Sequence, residues 1–156
     1  IYIPGYYEEV AKIIKQTREL GLNVPLLGCD GWDSPKLVEI GGPEALNNTY
    51  FSSAYSAQDK EPSVQKFIAG YKAMYNKEPD VFCMQGYNAG LILADAIKRA
   101  GGAADGTKLA AAIAATKDLP VASGKLTYDA DHNPITSAII IELKDGVQTF
   151  KEKITL

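Results

Sequence analysis

The chain has 156 residues, 46% of them apolar and 22% charged, with a net charge of -3. That apolar share allows a sizeable buried core, in one domain or in two small lobes. Lys and Arg are scattered singly, which excludes the basic stripe of a nucleic-acid surface. Apolar runs such as Leu91–Ala94 and Ala138–Ile141 fall far short of the ~20 residues of a membrane-spanning helix.

The opening Ile1-Tyr2-Ile3-Pro4-Gly5 reads as a strand with no initiator Met, no charged leader and no cleavable apolar segment before it, so a processed piece of a longer protein is expected. Val10, Ile13, Ile14 and Thr17 then share one helical face, with Glu8 and Glu9 in the first turn and Gly21 past the end. Pro25–Cys29 reads as a short buried strand, giving a strand, helix, strand unit of the parallel kind. Ser34 and Pro35 supply an N-cap and a first-turn proline, Gly41-Gly42 closes that short helix, and Thr49–Ala54 resumes a strand.

The polar stretch Ser56–Glu61 marks a linker before a helix carrying Val64, Phe67, Ile68, Tyr71 and Met74. Pro79 separates that helix from Val81–Met84, after which Tyr87, Leu91, Ala94 and Ile97 keep helical spacing as far as Gly101-Gly102. Thr107–Thr116 is an Ala-rich helix. Lys125–Tyr128, Ser137–Leu143 and Val147–Ile154 read as strands, the last two joined by Asp145-Gly146, a hairpin signal. Alternating strands and helices with a terminal hairpin predict an α/β architecture.

Chemistry is sparse along the chain. The single histidine, His132, sits in a turn beside Pro134 with no nucleophile on a rigid element nearby, so a catalytic triad is not supported. Glu8 and Glu9 read as complements to a helix dipole rather than as an acid/base pair. Cys29 and Cys83 form neither a metal cluster nor a disulfide framework, and they pair only if the fold brings them together. No catalytic residue, metal or cofactor is expected. Asp30 stands apart: it follows a buried strand, is flanked by Gly28 and Gly31, and precedes Trp32. Ligands of open α/β sheets bind at that strand edge, where a carboxylate suits a cationic group; a plain turn is the competing role.

The run Leu26–Pro35, together with Ile3–Glu9, Val64–Asp80, Gly86–Ala89 and Leu126–Asp129, resembles in order and spacing the branched-chain amino-acid-binding proteins of ABC importers, type I periplasmic solute-binding proteins. The resemblance covers essentially the whole chain and only the C-terminal half of that fold. It implies two α/β lobes with parallel sheets, residues 1–53 in the C-terminal lobe, 54–134 in the N-terminal lobe and 135–156 returning. It further implies that Asp30 holds the ligand ammonium, that Tyr6 contacts the amino acid from a strand-to-helix corner, and that Phe82 closes over it from the other lobe. Trp32 either walls the side-chain pocket or packs against the helix at Ser34–Ile40. Tyr87 and Asn88 would begin a helix and position Phe82, while His132 replaces a turn glycine.

The implied function is capture of a branched-chain or related amino acid by lobe closure, without catalysis, for an ABC permease in the inner membrane. The place is periplasmic or extracellular, with lipoprotein anchoring of the longer parent. A ligand-sensing domain of a signalling receptor is the alternative. Groups that hold the ligand carboxylate in this family have no counterpart here, so the chain alone is expected to bind free amino acid weakly. A swapped or intertwined homodimer of the piece is a further expectation.

Overall fold

In the computed structural model, which describes residues 1–155, the elements follow in order: α1 (Tyr7–Glu19), β1 (Leu26–Gly28), a 3-10 turn (Asp30–Trp32), α2 (Pro35–Gly41), β2 (Thr49–Ser53), α3 (Pro62–Tyr75), α4 (Val81–Ala100), α5 (Gly106–Ala114), β3 (Leu119–Val121), β4 (Gly124–Tyr128), β5 (Pro134–Ile135), β6 (Ala138–Lys144) and β7 (Val147–Ile154). They divide into two units. The first comprises Ile1–Gln58 and Ala138–Ile154, and the second Asp59–Ser137 with Thr155.

In the first unit a four-stranded sheet has the order β1-β2-β6-β7. β1 runs parallel to β2, and β2-β6 and β6-β7 are antiparallel. The opening residues extend this sheet by a single parallel bridge, Tyr2 to Leu27, fixed by Ile3 N–H to Leu27 O and Leu27 N–H to Ile1 O, both 2.8 Å. Val10 and Ile14 of α1 and Leu37 of α2 join Leu26, Phe51, Ile139, Ile141 and Leu143 of the sheet in one buried cluster. Alternation along β2 and β6 buries every second side chain, Phe51, Ile139, Ile141 and Leu143 entering that cluster, as a half-covered pleat requires.

Local chemistry sets the boundaries. Ser34 Oγ accepts the Lys36 amide at 3.2 Å, and Pro35 opens α2. Asp145 and Gly146 both have positive φ, 51° and 78°, as a two-residue hairpin turn of the right twist demands. Arg18, at the end of α1, spends its guanidinium on backbone carbonyls: Leu22 O at 2.7 Å, Val24 O at 2.9 Å, Asn47 O at 3.1 Å and Ala45 O at 3.3 Å. Those carbonyls lie in the loops feeding β1 and β2, so one side chain fixes where both strands begin.

In the second unit α3, α4 and α5 accompany a three-stranded sheet of order β3-β4-β5, antiparallel throughout. Parallel pairing is therefore confined to the first unit among the described residues. Asp80 Oδ1 caps α4 by accepting the Cys83 amide at 2.9 Å, and Gly101 closes it at φ 76°. Val81–Met84 is thus the first turn of α4 rather than a segment ahead of it. Val64, Phe67, Ile68, Val81, Met84 and Ala96 are its buried helical side chains. No helix among the described residues is long and apolar enough to cross a membrane.

Candidate functional site

The carboxyl ends of the parallel strands are built around two glycines. β1 ends at Gly28, where a Cβ would stand 2.0 Å from Trp32 Cε2, so only glycine leaves room for the indole. Trp32 Nε1 donates to Ile3 O at 3.2 Å, and its ring lies tilted against Phe51 with centroids 6.2 Å apart. The opening segment, β1 and β2 are thereby tied at one end by a single fully buried ring. The chain then turns, Trp32 N–H donating to Cys29 O and Asp33 N–H to Asp30 O, each at 3.0 Å. Gly31 lies against the preceding loop, and a Cβ there would fall 2.5 Å from Gly5 O and 3.3 Å from Tyr6 Cδ1.

That contact sets the Asp30 turn beside the Tyr6 corner. Tyr6 is the N-cap residue of α1, in extended conformation, and its side chain is 65% exposed. Asp30 is half-buried. The Tyr2 phenol is raised above its ordinary pKa, chiefly by its electrostatic interaction with Cys29, then by burial, its hydrogen bond to Cys29 and its electrostatic interaction with Asp30. Tyr2, Cys29 and Asp30 therefore share one electrostatic neighbourhood. An anionic side chain beside an accessible aromatic ring suits a cationic ligand group.

The same strand edge carries a buried polar pair that sequence reasoning missed. Ser53, the last residue of β2, donates from Oγ to Asp33 Oδ2 at 3.4 Å and accepts the Tyr55 amide at 3.1 Å. Asp33 and Ser53 are 5% and 4% exposed. The available signal is a second carboxylate three residues beyond Asp30, at the end of the 3-10 turn.

Other sequence candidates fall elsewhere. Trp32 belongs to the core, packed on Gly28 and Phe51 and bonded to Ile3, so it supports the strand ends. Phe82 lies in the first turn of α4, in the second unit, 39% exposed. Tyr87 and Asn88 do not begin a helix; they lie inside α4. Tyr87 packs against Phe67 with centroids 5.3 Å apart. Asn88 holds the turn after β3, accepting the Ala122 amide at 2.8 Å and donating to Ser123 Oγ at 3.1 Å. Those contacts anchor the β3–β4 turn, a different duty from positioning Phe82. His132 occupies an exposed left-handed turn position at φ 66°, and Glu8 and Glu9 sit exposed in the first turn of α1. Both cysteines are free thiols, Cys83 Sγ donating to the Tyr71 oxygen at 3.2 Å. Among the described residues no cluster of three or more His, Cys, Asp or Glu could hold a metal ion.

A cavity of about 740 Å³ in the first unit is lined by Lys15, Arg18, Asn23, Gly42 and Asn48, at the amino ends of β1 and β2, and includes neither Asp30 nor Tyr6. Its guanidinium is already committed to carbonyls. That cavity and the Asp30 turn lie at opposite ends of the same strands, and ligands of open α/β sheets bind at the carboxyl ends.

A family model described as periplasmic binding protein matches residues 5–148. The chain belongs to the periplasmic binding protein family. The Leu/Ile/Val-binding protein BraC3 of Rhizobium johnstonii is 31% identical over 128 residues, which is 82% of this chain and 34% of that protein. The leucine-binding protein LivK of Thermotoga maritima superposes with a TM-score of 0.88 at 39% identity, over 99% of this chain and 44% of that one. The branched-chain amino-acid transporter substrate-binding protein LivJ of Streptococcus pneumoniae, solved with isoleucine, gives 0.82 at 30% identity, over 100% and 44%. The fold is thus the α/β fold of type I periplasmic binding proteins, and the chain spans about a third of the length of the curated relatives it matches.

Proposed function

We propose that this periplasmic binding protein chain is the C-terminal half of the substrate-binding component of an ABC importer, and that its ligand is a branched-chain or related amino acid. The observation that carries the proposal is the contact of the Asp30 turn with the Tyr6 corner at the carboxyl ends of the parallel strands, kept open by Gly28 and Gly31. Asp30 takes the α-ammonium, Tyr6 lines the apolar side, and Trp32 holds the strand ends in place from beneath. Phe82 covers the ligand from the other lobe. Residues 1–53 and 135–156 form one lobe and 54–134 the other, and ligand shifts the population toward the closed arrangement. The closed form is what the permease in the inner membrane recognises, which places the protein in the periplasm. Relatives named for leucine, isoleucine and valine support this ligand class.

The test is calorimetric titration of the twenty amino acids against the intact protein that carries these residues, repeated with Asp30→Ala. Truncating one partner of a hydrogen-bonded charge pair costs about 2–5 kcal/mol of affinity. Full retention of affinity removes the ammonium assignment, and chemical conversion of any bound amino acid removes the non-enzymatic reading.

A further inference from the structure

Three residues beyond Asp30 the chain returns to the sheet. β1 ends at Gly28, opposite Phe51 of β2, and β2 runs two residues further, to Ser53. Ser53 therefore overhangs the end of β1, and the 3-10 turn that follows β1 packs against β2. Thr49, Phe51 and Ser53 share the buried face of that strand, where a hydroxyl at the last position breaks the apolar pattern of a core-facing pleat. The hydroxyl has a specific use. Ser53 Oγ accepts the Tyr55 amide at 3.1 Å, which leaves its own proton for Asp33 Oδ2 at 3.4 Å.

That contact bears on how Asp30 is held. The turn is three residues long, and its own bonds, Trp32 N–H to Cys29 O and Asp33 N–H to Asp30 O, are of the short-range 3-10 kind that seldom fixes a segment alone. Upstream, Gly28 and Gly31 allow it to press on Trp32 and Gly5. Downstream, Asp33 is the residue at which the turn ends, with φ -73° and ψ 85°, and its side chain reaches Ser53. The separation is long for a hydroxyl on a carboxylate, but the two residues are 5% and 4% exposed, where water competes little and breaking the pair carries a desolvation penalty. Further chain in the longer protein can only cover these atoms more.

We infer that Asp33 is a positioning residue for the ligand ammonium. Through Ser53 it ties the far end of the turn to β2 and fixes the direction of the Asp30 carboxylate, so it sets affinity for ligands with an α-ammonium by way of Asp30 rather than by contact. The inference rests on the role proposed for Asp30.

The experiment is a double-mutant cycle on the intact protein, combining Ser53→Ala with Asp30→Asn and titrating leucine and 4-methylpentanoate. Ser53→Ala keeps both carboxylates, so a change in leucine binding is not a loss of charge. It should weaken leucine about fivefold and leave 4-methylpentanoate, which has no ammonium to place, unchanged. Once Asp30→Asn is present, Ser53→Ala should cost leucine nothing further. Asp33→Ala breaks the contact from the other side and should be equally silent in the Asp30→Asn background. A purely structural role would lower the thermal midpoint and weaken both ligands alike in either background. That result, or leucine binding undiminished by Ser53→Ala while Asp30→Asn weakens it, overturns the positioning role alone. Full leucine affinity in Asp30→Asn removes the ammonium assignment itself, and the positioning role with it.

Discussion

The two ends of the same strands in the first unit differ in what fixes them: side-chain hydrogen bonds to loop carbonyls at one, close-packed glycines at the other. At the amino ends lies a cavity of about 740 Å³, where Arg18 is bound to loop carbonyls and Asn47 exchanges hydrogen bonds with Asp145, at 2.8 Å from the Asp145 amide and 3.4 Å to its Oδ1. At the carboxyl ends two glycines bring backbone close enough to set Asp30 beside Tyr6. The first end is a structural clamp whose electrostatics are satisfied internally. The second is an edge where close-packed glycines fix the backbone that carries Asp30 and Tyr6, at the strand ends where open α/β sheets bind their ligands.

Substitutions should separate the ends. Gly28→Ala is expected to have the largest effect: its Cβ meets the Trp32 indole at 2.0 Å, in a core where overpacking costs ~1–3 kcal/mol and occasionally more. Denaturant unfolding should show that loss, and ligand affinity should fall with it, because the displaced indole also holds Ile3. Arg18→Ala removes charge-assisted hydrogen bonds, each worth roughly 1.5–3 kcal/mol when buried and less where solvent reaches them; a total loss of about 2 kcal/mol is expected. Affinity per folded molecule should stay unchanged, since the clamp is remote from Asp30. If Arg18→Ala lowered affinity while sparing stability, the roles of the two ends would be reversed.

The smallest effect belongs to a polar cluster across β2, β6 and β7. Tyr50 donates to Glu142 Oε1 at 3.2 Å and Lys151 to Oε2 at 2.8 Å. The Glu142 carboxyl is held below its ordinary 4.5, first by the hydrogen bond from Lys151 and then, against the opposing effect of desolvation, by that from Tyr50. A depressed carboxyl pKa adds stability that is present above 4.5 and lost as pH falls through the folded value. Glu142→Gln should flatten that part of the acid unfolding curve, with an NMR titration of the Glu142 carboxyl carbon showing the depressed midpoint. A midpoint at or above the ordinary value would refute the pairing.

Much of the architecture was legible because local chemistry and tertiary structure agree. The Ser34-Pro35 start, the Asp145-Gly146 turn and the apolar spacing of α1, α3 and α4 each specify an element that tertiary packing then keeps. β3 and β5 were not legible. Leu119-Pro120-Val121 contains a proline, and Pro134-Ile135 is two residues long; both exist only by pairing with β4, which no local pattern encodes. Of the site, the Asp30 position follows from strand and glycine signals. Its contact with Tyr6 does not, because that depends on Gly31 packing against Gly5 across the sheet edge. Asp33 and Ser53 were missed for the same reason, being twenty residues apart and joined only in three dimensions.

The most direct measurement pairs the intact protein and its Asp30→Asn variant with two ligands, leucine and 4-methylpentanoate, which lacks the ammonium. If Asp30 holds that ammonium, Asp30→Asn weakens leucine by about 2–5 kcal/mol and leaves the deaminated analogue nearly unaffected, so the two deletions are strongly non-additive. Equal weakening of both ligands would show that Asp30 supports the strand edge and does not meet the ligand.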